Sequence, residues 1–143
     1  MRRIRRRNAV EASVYEARTR DIMVRVQPAY LEDQSDPEEG RWFWAYTVEI
    51  ENHGVETVQL KSRHWIITDG LNRSEAVDGE GVVGEQPVLK PRDAYRYTSG
   101  CPLPTPSGVM RGTYLMQSDA GETFDVDIPE FSLDLPGARR VVN

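Results

Sequence analysis

Gly79, Gly81 and Gly84 stand at the spacing of a G-x-G-x-x-G loop, interleaved and flanked by the carboxylates of Asp78, Glu80 and Glu85. Glycines at such intervals can turn backbone N–H groups toward a phosphate. With a helix N-terminus behind them they form a dinucleotide site. That chemistry needs a helix directly after the third glycine and an acidic residue about 20 positions further on. Here Pro87 and Pro91 follow, and two prolines so close together forbid a helix. No Gly-Lys-Ser/Thr completes a Walker loop. The three acids also put negative charge where a phosphate would sit. Three readings stay open. The glycines can serve unusual backbone angles in a structural loop, their N–H groups can form a nest for phosphate or pyrophosphate, or Asp78, Glu80 and Glu85 can hold a divalent cation.

Other reactive side chains are few. His53 falls in a predicted turn and His64 precedes Trp65 on a predicted strand, where a hydrogen-bonded histidine is expected rather than a ligand or base. Cys101, between Gly100 and Pro102, has no cation beside it in sequence to lower its pKa, so a buried thiol is expected. Residues 32–40 carry five carboxylates without the ligand spacing of an EF-hand, which reads as a solvated, mobile loop. Asn72-Arg73-Ser74 matches a glycosylation sequon but reads as a turn. No serine sits in a G-x-S-x-G elbow. The chain is therefore read as non-enzymatic, with no catalytic residue and no cofactor. Which of Arg63, His64, Glu80, Glu85 and Cys101 the fold brings together is the most informative question that the sequence poses.

These residues belong to a chain of 143 residues, the size of one domain. A single cysteine excludes an intramolecular disulfide and a Cys-based metal finger. The net charge of -5 hides an asymmetry. Residues 1–20 hold seven arginines against two glutamates, a local +5, and the remainder holds 11 basic against 21 acidic residues, a local -10. The acidic body repels nucleic acid and anionic membrane. The Arg-rich start lacks the apolar core of a secretory signal, and no apolar run approaches the ~20 residues of a transmembrane helix, so a cytoplasmic protein without membrane insertion is expected.

The elements that must position these residues read as strands. Residues 41–52 alternate without a break: Trp42, Trp44, Tyr46, Val48 and Ile50 against Phe43, Ala45, Thr47, Glu49 and Glu51. Only a period of two accommodates that pattern, and it predicts a central strand. Ile22, Val24 and Val26 predict a half-buried strand that bends or lies at an edge at Pro28. Val58, Leu60 and Trp65-Ile66-Ile67 predict a strand returning from residues 41–52 as a hairpin. A short strand over 75–77 leads into the glycine loop. Residues 94–99 and 109–118 alternate again, and residues 100–108, with three prolines and two glycines, predict an irregular crossing between them. Residues 123–128 close a hairpin, and Phe131, Leu133 and Leu135 carry the alternation past Pro129. About seven to eight antiparallel strands and no convincing amphipathic helix predict an all-β sandwich of immunoglobulin or fibronectin type III-like form. The expected organisation is a disordered, Arg-rich tail over 1–18, with at most a helical turn or two within 9–18, a domain over 19–135, and a flexible tail over 136–143.

Several blocks of residues carry a family resemblance. They are Trp44-x-Tyr46-x-Val48-x-Ile50-x-Asn52-x-Gly54; Val58-Gln59-Leu60-x-Ser62-Arg63-His64-Trp65-x-Ile67-Thr68-Asp69; Gly79-x-Gly81-Val82-Val83-Gly84-Glu85-Gln86-Pro87-x-Leu89; Tyr97-Thr98-Ser99-Gly100-Cys101-Pro102-Leu103; Thr105-Pro106-x-Gly108-x-Met110-x-Gly112-x-Tyr114; and Phe124-x-Val126-x-Ile128-Pro129-x-Phe131-x-Leu133. In order and over about residues 17–135, the chain resembles the ApaG family. The resemblance implies a small bacterial protein with a fibronectin-III-like sandwich, linked to cobalt resistance and magnesium efflux, that acts through a protein partner. The same domain is found fused in larger eukaryotic proteins, F-box proteins among them, as a protein-interaction module. The resemblance also implies a pyrophosphate-binding role for the loop matched by Gly79, Gly81 and Gly84. The function expected is thus a protein-binding module tied to Co2+/Mg2+ homeostasis, with a phosphate or cation binder at the glycine loop as the alternative. The partner's identity and the oligomeric state have no signature in the sequence.

Overall fold

Among the described residues, alternating apolar side chains build nine strands, and their buried faces meet between two sheets. The computed structural model describes residues 13–135, so the arginines at positions 2–7 and the expected tail over 136–143 lie outside the described residues. The first sheet has the order β1 (Tyr15–Thr19), β2 (Ile22–Tyr30), β3 (Trp42–Asn52), β7 (Ala94–Leu103). The second has the order β5 (Ser74–Glu80), β4 (Val58–Asp69), β8 (Ser107–Ser118), β9 (Thr123–Asp134), with the short β6 (Val88–Leu89) pairing β4 beside β5. All these pairings are antiparallel. The result is the expected all-β sandwich of immunoglobulin or fibronectin type III-like architecture.

β3 is central, between β2 and β7, and its even residues Trp44, Tyr46, Val48, Ile50 and Asn52 are buried. Opposite them the second sheet contributes Trp65, Met110, Tyr114, Met116, Val126 and Phe131. Tyr46, Trp65 and Phe131 form an aromatic cluster with ring centroids 5.2–6.0 Å apart. Burying such side chains contributes about 1.5–3 kcal/mol each.

The structure corrects four local expectations. Residues 15–18, expected within the disordered tail, join Thr19 in β1, the outer arm of a hairpin with β2, because Tyr15 and Ala17 pair with Val26 and Val24. The β1 pairing ends at Val26, so Pro28 lies beyond it and its missing N–H faces a locally unpaired side. β3 and β4 are not a hairpin, because β4 lies in the opposite sheet. Buried Asn52 holds that crossing. Its Nδ2 donates to the carbonyls of Glu56 (2.8 Å) and Leu89 (3.0 Å), and its Oδ1 accepts from the N–H of Gly54 (2.9 Å).

Residues 100–103 continue β7 and pair with 42–45 of β3. Pro102 is tolerated there because β7 is an edge strand. Finally, residues 32–34 and 37–39 form two 3-10 turns, with Ser35 Oγ accepting from the N–H of Phe43 at 2.8 Å.

In β9 the buried set changes parity, from Val126 and Ile128 to Phe131 and Leu133. A bulge allows this, because one residue of β8 between Met110 and Gly112 opposes two of β9, Pro129 and Glu130.

Candidate functional site

A second bulge positions the site. Between Leu60 and Ser62 the register of β4 against β8 slips, leaving Lys61 as the extra residue. Before it, Val58 and Leu60 face inward; after it, Trp65 and Ile67 do, and so does Arg63. Were Lys61 held in regular register instead of bulged, the inward positions would fall to Ser62 and His64, and Arg63 would face solvent.

The glycine segment fastens this bulge. The Lys61 carbonyl accepts from the N–H of Gly81 and from Gln86 Nε2, both at 2.9 Å. Leu60 N–H donates to the Pro87 carbonyl at 3.0 Å, and Gln59 Nε2 donates to the Gln86 carbonyl at 3.0 Å. Buried Val82 plugs the segment into the core.

Each glycine has a different task. Gly79 is not in a loop: it is a strand residue of β5 paired with Arg63. A Cβ there would stand 2.6 Å from the Arg63 guanidinium carbon. Gly81 has φ +62°, and a Cβ on it would overlap the Glu85 carbonyl oxygen. Val83 and Gly84 have φ 48° and 80°, and Val82 and Glu85 exchange N–H···O bonds of 2.8 and 2.9 Å around them. That is the pattern of a two-residue type I′ turn.

The N–H groups of Gly81, Val82 and Glu85 are thus taken by main-chain carbonyls rather than converging on an open nest. What the segment offers outward is carbonyl oxygen: Arg63 Nη1 donates to the carbonyls of Glu80 (3.0 Å) and Gly81 (2.9 Å).

The candidate cation ligands do not converge. Asp78 and Glu80 occupy the outer face of β5, and Asp78 Oδ1 is hydrogen-bonded to His64 Nδ1. Glu85 closes the turn. Among the described residues no three His, Cys, Asp or Glu side chains are grouped to hold a metal ion. The five residues in question divide between two faces. Cys101 lines the interior, His64 and Glu80 line a shallow outer depression with Thr113 and Asp125, Arg63 reaches both, and Glu85 lies in neither lining.

The interior feature is a cleft of about 500 Å³ between β5 and β7, where the two sheets stand apart at their edges. Arg63, Trp65 and Ile67 form its floor from β4, Val77 and Glu75 one wall from β5, and Ser99, Cys101 and Leu103 the other from β7. Tyr46 of β3 closes the back. At one end Asp69 accepts from the N–H groups of Leu71 and Arg73 (2.8 and 3.0 Å) and from Arg73 Nε (2.9 Å). Those N–H bonds, the one from Arg73 first, hold its carboxyl below the usual aspartate range. The sequon residue Asn72 sits in the same turn with φ 68°.

Electrostatically the cleft is positive at its inner end. Burial raises the phenols of Tyr46, Tyr97 and Tyr114 above their usual range, and the Arg63 charge pulls each the other way. Tyr97 and Tyr114 share a hydrogen bond between their hydroxyls. Burial pushes the Cys101 thiol up to about 11, so it is a poor nucleophile at neutral pH.

Sequence reasoning named Arg63 without assigning it a role. The signal was its i, i+2, i+4 relation to Trp65 and Ile67, concealed by the parity of Val58 and Leu60.

The fold and cleft define a class: a small two-sheet sandwich that keeps one edge open over an inward arginine. The ApaG domain family matches residues 32–118. Protein ApaG of Caulobacter vibrioides is 64% identical over 140 residues, 98% of this chain and 100% of that protein. Protein ApaG of Mesorhizobium japonicum is 61% identical over 130 residues, 91% and 100% of the two chains. The crystal structure of a Bordetella pertussis protein described as ApaA superposes with a TM-score of 0.80 at 52% identity, over 82% of this chain and 96% of that one. This chain belongs to the ApaG family.

Proposed function

We propose that the chain is a non-enzymatic binding module whose partner is a protein, and that the partner places a segment in the cleft between β5 and β7. The link to Co2+/Mg2+ homeostasis follows the family resemblance and runs through that partner rather than through an ion held by this chain. One observation carries the reading. The sequence blocks 62–69, 79–87 and 97–103, far apart in the chain, all serve this one cleft: the first supplies its floor, the second seats Arg63, and the third supplies a wall.

The exposed large apolar side chains among the described residues are Val14, Val55, Leu71, Val83 and Val88, none of them aromatic. The usual aromatic anchors of an exposed interface are therefore missing from this set, and Tyr46 and Trp65, which line the cleft, are themselves buried.

The test is affinity capture with the immobilised full-length chain against Val77→Trp, which fills the cleft from the half-buried β5 wall. A partner held by the wild type and lost by Val77→Trp, with unfolding temperature retained, supports the reading. Partners retained equally by both proteins refute it.

A further inference from the structure

Among the described residues, Arg63 is the one cation lining the cleft that has no ion-pair partner. Arg73 lines the same cleft but is paired with Asp69 at 2.9 Å. Among the described residues none of the ion pairs includes Arg63. Its guanidinium is half-buried on the core face of β4, beside Tyr114 on one neighbouring strand and Gly79 on the other. Taking a cation out of water without a counter-charge is unfavourable.

Much of the surrounding architecture serves to keep it there. The Lys61 bulge turns it inward, Gly79 leaves it room, and Nη1 spends its two protons on the carbonyls of Glu80 and Gly81. A guanidinium has five N–H donors, so three remain, in a planar fork that matches a carboxylate.

We propose that Arg63 receives a carboxylate of the partner polypeptide, paired to the guanidinium while the attached apolar part lies over the half-buried Ile67 and Val77. This inference rests on the reading of the cleft as a docking site and adds the chemistry of the occupant. A carboxylate fits better than a phosphate for two reasons. The cleft offers a single uncompensated cation, whereas phosphate groups are usually met by several donors. The other end carries Glu75, which repels the second charge of a phosphate dianion. The lining joins apolar side chains to a few polar groups, as sites for organic anions with an apolar body do.

The experiment uses N-acetylphenylalanine as a probe with a free carboxylate, its uncharged amide, and inorganic phosphate. Each is titrated into the 15N-labelled full-length chain. The expected result is saturable movement of the Gly79, Gly81, Ser99 and Cys101 amides with the acid at millimolar concentration. Binding of the amide and binding of the acid to Arg63→Gln are expected to be weaker by about tenfold or more, the scale of one lost charged pair.

Because Arg63 also steadies the glycine segment, the unchanged positions of the Val82 and Glu85 amides check that Arg63→Gln keeps its turn. Val77→Trp, which retains Arg63, gives a second loss of binding that does not depend on that variant. Acid and amide binding alike, phosphate moving the same amides at equal or lower concentration, or no movement with the acid each overturn the carboxylate assignment. A cleft that fails this titration, yet whose Val77→Trp variant still loses the captured partner, remains a docking site for a segment of different chemistry. The two failures are therefore distinguishable.

Discussion

Gly81 carries two constraints at once, a positive φ and the Glu85 carbonyl packed where a Cβ would be, whereas Gly84 carries only the positive φ and faces open space. An alanine at position 84 is expected to cost about 1 kcal/mol, the penalty of a left-handed residue with a Cβ. At position 81 the clash adds to that penalty, and about 2–3 kcal/mol is expected. Denaturant unfolding of Gly81→Ala and Gly84→Ala checks the order, and equal losses would mean that the turn relaxes around position 81. The three glycines were legible in the sequence as a motif, but their purposes were not. Spacing alone does not say that Gly79 belongs to a strand and makes room for an arginine 16 residues earlier in the chain. Cys101 was legible as a buried thiol, since nothing beside it in the sequence could stabilise a thiolate, and its raised pKa has burial as its largest cause.

Elements whose faces differ over their whole length are easy to read. β3 keeps one parity for eleven residues, so its face and its central position follow directly from alternation. β4 and β9 do not keep theirs, because a bulge in each moves the inner face by one residue. An extra residue costs nothing in composition and leaves no mark in a hydrophobicity pattern except a change of parity. The crossing after β3 was concealed for a different reason. A turn of the type Asn-x-Gly ends a strand whether the chain then pairs with that strand or leaves for the other sheet. The destination is set by long-range bonds, above all from Asn52 to the carbonyl of Leu89. Asn52→Ala is expected to lose about 2–3 kcal/mol, since two carbonyls and the N–H of Gly54 lose their partner. Asn52→Asp is expected to lose more, because it removes both donated bonds and buries a charge. Urea unfolding of both variants tests this, and a neutral Asn52→Ala would show that solvent reaches the crossing.

At the scale of the molecule the two lateral edges of the sandwich are unlike. On one side β1 and β9 come together, with Tyr15 against Phe131 at 6.1 Å and the N–H of Asp127 donating to Thr19 Oγ1 at 3.0 Å. On the other side β5 and β7 stand apart over the cleft. Amide hydrogen exchange is therefore expected to be slowest in β2, β3, β4 and β8, which are paired on both sides, and fastest among the strands in β5. Occupation of the cleft is expected to slow β5 and β7 and to leave β1 and β9 unchanged; uniform protection before and after would argue that the edges do not differ. Among the described residues no helix is long and apolar enough to cross a membrane. An open flank of this kind ordinarily invites stacking of identical molecules, because a row of unused main-chain groups is a template for any strand. Here β7 interrupts its own row at Pro102, and β5 carries Glu75, Asp78 and Glu80 within six positions. A second copy approaching β5 in the manner of a sheet would set those carboxylates against their own images. The flank thus discriminates by charge: it rejects its own kind, while the arginine inside it favours an incoming negative end.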